Sequence, residues 1–450
     1  MINHSSLILN KKTSLIFILL FTAIIVFDSS IVSFSTYSGV ELPISTNVMI
    51  FVSFSIIFVI GSTMLLNSVR KIVSKYAYKP TPRVLRYFQY IIASTLIVTC
   101  ALILVIILQM LLLNSYSISL LRAQTYFTHF SALAFLSSLV FLFGRWFTSK
   151  RNYIILMYVT SFFLASINLV VSFLYLESYL SSSSLPYANV FPVEAYVASF
   201  GAFPFPESLS PAFDALSLSS FLLMWVAAAI SLSQYRYKMG TIKFYSLTCI
   251  PLLYYVFPFQ NYFGNVFFPL LPSSPIYISL VYVLIFSATK QVGALFFSLS
   301  FWTASTLVYD VRVQKSLLIS SLGIAIFYGS IAIAPLQYHV YPPYGLITEA
   351  FLPLGSYLLF IGIFTSAVYI SRDSEVRNEF YKSASSQLTL LKDIGVSQME
   401  KELESQTKSI GKRAKLLETP EEPELKDEEI KAILHDVLNE LYYSKGKKEL

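Results

Sequence analysis

The chain has 450 residues, 55% of them hydrophobic and 13% charged, and its mean hydropathy is +0.65. A soluble domain carries about a quarter of its residues as charges, so this composition excludes a water-soluble globular protein and fits a bundle immersed in lipid. The formal charge of +7 is uneven, because residues 371–450 hold 14 of the 32 basic and 17 of the 25 acidic side chains. Elsewhere the basic residues sit in short segments between apolar runs, where membrane topology places them, and this sets nucleic acid aside as a partner.

The N-terminal run SLIFILLFTAIIVF follows Lys11 and Lys12 and is not followed by a small-x-small cleavage site, so it reads as a first, uncleaved span. About 20 apolar residues cross a bilayer core of ~30 Å. That ruler marks spans near 13–34, 46–67, 88–113, 126–144, 153–176, 217–234, 244–262, 276–308, 316–336 and 349–370. The expected fold class is therefore all-α, a polytopic helix bundle of about ten spans over residues 1–371 with a long outward loop at 177–216.

Charge parity orients it. With the N-terminus inside, the inner segments collect Lys11, Lys12, six basic residues between Arg70 and Arg86, Arg145, Lys150, Arg151, Arg236, Lys238, Lys243, Arg312 and Lys315. Outer segments hold only Arg122 among basic residues, together with Glu41, Glu177, Glu194, Glu207 and Asp214. Positive charge is retained on the cytoplasmic side, so both termini are expected in the cytoplasm of a multi-pass cell-membrane protein. The block 275–308 is too long for one upright span, and Lys290 is its only charge. Cutting it in two would turn Arg312, Lys315 and the tail outward, so one tilted or broken span is the better reading. The outer loops are rich in proline and aromatics, which fits either an aromatic belt at the headgroups or a lid over an outward cavity for a small molecule or lipid.

Motifs for catalysis are missing: there is no GxxxxGK[ST] loop, CxxC pair, HExxH or GxSxG. Cys100 and Cys249 lie in apolar runs, and His4, His129, His339 and His435 are scattered singly, so no metal site, cofactor or catalytic residue is assigned. Burying an ionisable side chain in a membrane is costly, which makes Asp28, Lys290 and Glu349 the candidate intramembrane polar residues, with His129 a possible fourth. Asp28 reads as interfacial or as half of a bundle ion pair, and Glu349 as lying at the rim of the last span. Lys290 either snorkels or pairs with Asp28 or a backbone carbonyl. The stretch SATKQVG has a superficial likeness to the retinal-binding lysine helix of microbial rhodopsins, but the third span offers no carboxylate as counter-ion.

The tail divides in two. Residues 372–418 are helix-forming, with Phe380, Leu388, Leu391 and Ile394 on one face, and Gly395 with a capping box at Ser397 and Glu400 predicts a helical hairpin or a kinked helix. Residues 419–450 begin with the linker Thr419–Pro423 and end in an amphipathic helix. Its stripe of Ile430, Ile433, Leu434, Val437, Leu438 and Leu441 is the candidate docking surface for a cytoplasmic protein. The segment ISRDSEVRNEFYKSASSQLTLLKDIGVSQMEKEL, with Ile394, Gly395, Gln398, Met399 and Glu400 as its core, resembles the junction in uncharacterised archaeal multi-pass membrane proteins. That resemblance implies a many-span body with a cytoplasmic helical tail and brings no activity. The expected function is a non-enzymatic membrane sensor or scaffold, with a carrier for a small or apolar solute second and a membrane enzyme third.

Overall fold

A computed structural model describes residues 11–38, 43–76, 83–182, 187–189, 209–233, 236–256, 288–331, 341–373 and 386–417. The helices are α1 (Lys11–Ser38), α2 (Ile44–Tyr76), α3 (Arg83–Leu113), α4 (Ile118–Ser149), α5 (Tyr153–Ser182) and α6 (Leu209–Leu232). They continue with α7 (Arg236–Met239), α8 (Thr241–Val256), α9 (Thr289–Leu307), α10 (Val311–Ile331), α11 (Leu346–Arg372) and α12 (Ser386–Leu417). One departure from an all-helical chain is a small antiparallel pair, β1 (Ser115–Ser117) with β2 (Tyr187–Asn189), in the register Ser115 to Asn189. It ties the α3–α4 turn to the loop after α5.

Among the described residues seven helices, α2 to α6 with α10 and α11, are long and apolar enough to cross a bilayer, as in an integral membrane protein of the helical class. Helices α1, α8 and α9 overlap the ranges of the other three expected spans but are not among these seven. Helix α9 begins at Thr289, with Lys290 in its first turn, and residues 276–287 and the Lys290 side chain lie outside the described residues. Large apolar side chains face outward, among them Ile97 and Leu112 of α3, both at least 70% exposed, as lipid contact requires. Both cysteines are free; Cys249 is exposed on that outer surface and Cys100 is half-buried.

Helix α11 is the axis. Its span is 94% buried, against 28% for α3, and it packs against α1, α2, α3, α4, α10 and α12. A helix that is apolar all round is one covered on all sides. Its closest neighbour is α10, and small residues make the approach possible. A Cβ on Gly355 would lie 2.7 Å from the Phe327 amide nitrogen, one on Gly362 2.6 Å from that of Ser320, and one on Gly323 2.8 Å from the Leu358 carbonyl carbon. In lipid, where apolar burial between spans adds little, such backbone contact is the main source of association.

Helix α12 runs unbroken through Gly395 and Ser397, where an interruption was expected. Gly395 is needed for contact: a Cβ there would collide with the Ile370 side chain of α11. Ser397 donates to the Trp146 carbonyl of α4 instead of capping a helix start. Leu390, Leu391, Ile394 and Val396 are buried. Around them Asn152 donates to Asp393 (2.9 Å), Lys150 pairs with Glu400 (3.0 Å) and Arg372 with Glu402 (3.0 Å). Partly exposed pairs of this kind contribute little energy each, so the apolar face holds α12 and the charges set its register. Gly395→Val should therefore lift α12 from α11, raising limited proteolysis within 386–417 by about tenfold or more; unchanged cleavage would contradict this packing.

At the same end, Asp310 precedes α10 and accepts from the backbone amides of Arg312 (2.8 Å) and Val313 (3.1 Å) and from the Arg312 guanidinium, which also reaches Asp373. Partial burial pushes the Asp310 carboxyl up, but hydrogen bonds from the Arg312 side chain and the two amides outweigh it and hold the group below its ordinary value. A depressed carboxylate pKa stabilises the fold above the unfolded value near ~4 and loses that contribution as pH falls through the folded value. The melting temperature of the wild type should fall more steeply than that of Asp310→Asn between about pH 5 and pH 2. Parallel curves would rule the clamp out as a stabilising element.

Candidate functional site

Helix α11 starts after Gly345, whose left-handed backbone (φ 90°) supplies no side-chain cap. Its first-turn amides would be orphaned, and Asp28 of α1 fills that role from another helix. Asp28 Oδ2 accepts from the Thr348 amide at 2.9 Å and from Thr348 Oγ1 at 2.7 Å. A carboxylate at this position also complements the positive end of the helix dipole.

One residue further on, Glu349 faces α4. Gln124, Thr125, Thr128 and His129 recur there at four-residue spacing and so share one face. Glu349 Oε1 accepts from Thr128 Oγ1 at 2.7 Å and lies 3.0 Å from His129 Nδ1, which is also 3.1 Å from the Thr125 carbonyl. Both neighbours of Nδ1 are acceptors when Glu349 is ionised, so Nδ1 carries the hydrogen. Asp28 and Glu349 are fully buried and His129 is 3% exposed, so protein surrounds all three. Yet Asp28 Oδ1, Glu349 Oε2, His129 Nε2 and both amide atoms of Gln124 lack a hydrogen-bond partner among the described residues. Buried polar atoms are ordinarily satisfied, so this cluster has capacity to hold a proton, a water or a small ion. Among the described residues no group of three ligand side chains suits a metal.

Glu349 lies in the first turn of α11, at the end of the last expected span, and is buried there, and Asp28 of α1 is buried against the same turn. The partner of Asp28 is Thr348; the pairing with Lys290 falls outside the described side chains, as do the docking residues Ile430 to Leu441. His129, read as one of four isolated histidines, is the partner of Glu349. Membership of the short list of intramembrane ionisable groups was the only sequence signal for it, since 220 residues separate it from Glu349.

A second polar knot joins α5, α6 and α10. Ser161 Oγ donates to the Ser220 carbonyl (2.8 Å), Ser220 Oγ returns a bond to the Ser161 carbonyl (3.0 Å), and Tyr328 OH lies 2.8 Å from Ser161 Oγ. Reciprocal serine bonds of this kind join helices inside lipid. Beside them a cavity of about 20 Å³, lined by Asn168, Ser217 and Tyr255, has room for one water. Asn168 Oδ1 has no hydrogen-bond partner among the described residues.

Comparison with protein families, curated proteins and solved structures finds no match for this chain. Its function is argued from geometry alone.

Proposed function

We propose that this chain is a non-enzymatic sensor or scaffold of about ten spans, with both termini in the cytoplasm and a tail that docks a protein partner. The observation that carries the reading is the double engagement of α11. At its first turn, Thr348 and Glu349 are bound by Asp28 of α1 and by Thr128 and His129 of α4. At its last turns, Ile370 and Arg372 hold α12. One rigid helix thus joins a buried protonatable cluster to the tail. A proton or ion that binds the cluster differently in two arrangements of α11 biases the hold on α12, which is all that a switch requires.

Beyond α12, the stripe from Ile430 to Leu441 is the surface offered to the partner. Deleting residues 419–450 should release co-purifying protein while leaving the melting temperature of the body unchanged. Retention of every partner would remove the docking role. Solute-dependent uptake by the reconstituted protein would replace this reading with that of a carrier.

A further inference from the structure

Between α1, α8 and α9 lies a cleft of about 610 Å³, within the range of small-molecule sites. Its walls are apolar, with Ile18 from α1, Leu247 and Ile250 from α8, and Leu295 and Phe296 from α9. It extends from Ile242 to Pro251 on α8 and from Val292 to Trp302 on α9. At 1.5 Å per residue that is about 15 Å, half of a ~30 Å bilayer core, so the cleft is one leaflet deep.

The charge is at one end. Lys243 lines the cleft, and Lys11 precedes the lining residue Leu15 by one helical turn on the same face of α1. Asp28, near the other end of α1, binds the first turn of α11, so Lys11 lies toward the last turns of α11. Helix α9 runs into the Asp310, Arg312 and Asp373 clamp at that same end, which brings Trp302 near the lysines. Trp302 closes that end of the wall.

We propose that this cleft is a binding site for an anionic phospholipid of the leaflet at the α12 end. One acyl chain fills the apolar wall, with the Trp302 ring as part of it, and the phosphate is held by Lys243 and Lys11. The wall alone would accept any apolar chain. Two cations at the headgroup end select a lipid with negative charge.

The test uses the full chain in phosphatidylcholine vesicles doped with chain-brominated phosphatidylglycerol or, separately, with chain-brominated phosphatidylcholine. The Trp302 contribution is taken as the difference in fluorescence between wild type and Trp302→Phe. Brominated phosphatidylglycerol should quench that contribution at a several-fold lower mole fraction than brominated phosphatidylcholine. Lys243→Gln should weaken the preference by about fivefold, and Ser246→Phe, which adds bulk to the cleft wall, should abolish the excess quenching by either lipid. Equal quenching by the two lipids, or a preference untouched by Lys243→Gln, would overturn the headgroup assignment. A Trp302 signal that neither lipid quenches would mean that the cleft is filled by the protein's own residues, and the site would be lost.

Discussion

Glu349→Ala should be among the most damaging single substitutions in the protein, costing about 3–5 kcal/mol of stability. The carboxylate accepts from Thr128 and faces His129 in a fully buried setting. Truncation leaves an imidazole N–H without its acceptor and a cavity at the first turn of the central helix. Glu349→Gln keeps the shape and an acceptor for Thr128 but removes the charge opposite His129, so its cost should be nearer 1–2 kcal/mol. Glu177 provides the comparison, because it accepts from Tyr126 at 2.9 Å but is a third exposed. Glu177→Ala should shift the melting temperature little, since exposed pairs are worth about 0–1 kcal/mol. Similar shifts for the two alanine variants, read by thermal unfolding in a mild detergent, would show that burial of the cluster has been misjudged.

Gly355→Val should be as severe by the opposite route. A Cβ at that position would lie 2.7 Å from the Phe327 nitrogen and 3.0 Å from its Cα, and backbone cannot move aside as a flexible side chain can. Overpacking typically costs 1–3 kcal/mol, and here the upper end or a failure to assemble is expected, because α10 and α11 form the most extensive helix pair. Gly144 of α4 is the control: nothing lies within 4 Å of a Cβ there, so Gly144→Ala should be neutral or stabilising by up to ~1 kcal/mol through helix propensity. A Gly355→Val protein with wild-type yield and melting temperature would contradict the α10–α11 crossing.

How much of this was readable beforehand follows from what each feature depends on. Apolar run length is a local property, and the spans near 88–113, 153–176 and 349–370 are met by α3, α5 and α11. The role of α11 as the axis was not readable, because a span apolar all round looks the same whether its neighbours are lipid tails or other helices. Asp28 was visible as a costly residue, whereas its task depends on Gly345, more than 300 residues away, leaving α11 without a cap of its own. Gly395 misled for a related reason: glycine next to a capping box signals a helix end locally, and only the Ile370 side chain shows that it marks close contact. Ser316 and Ser320 share the small-residue role in the α10–α11 seam, where they face Gly362.

The link between the acid–histidine cluster and the tail is best tested by hydrogen exchange of the intact protein in nanodiscs, comparing wild type with Glu349→Gln. If α11 transmits the state of the cluster, amides of residues 386–405 in α12 will exchange at least several-fold faster in the variant, while those of α8, which does not touch the cluster, keep their wild-type rates. Identical exchange across α12 in the two proteins would contradict the coupling and leave the cluster as a cap for α11 alone.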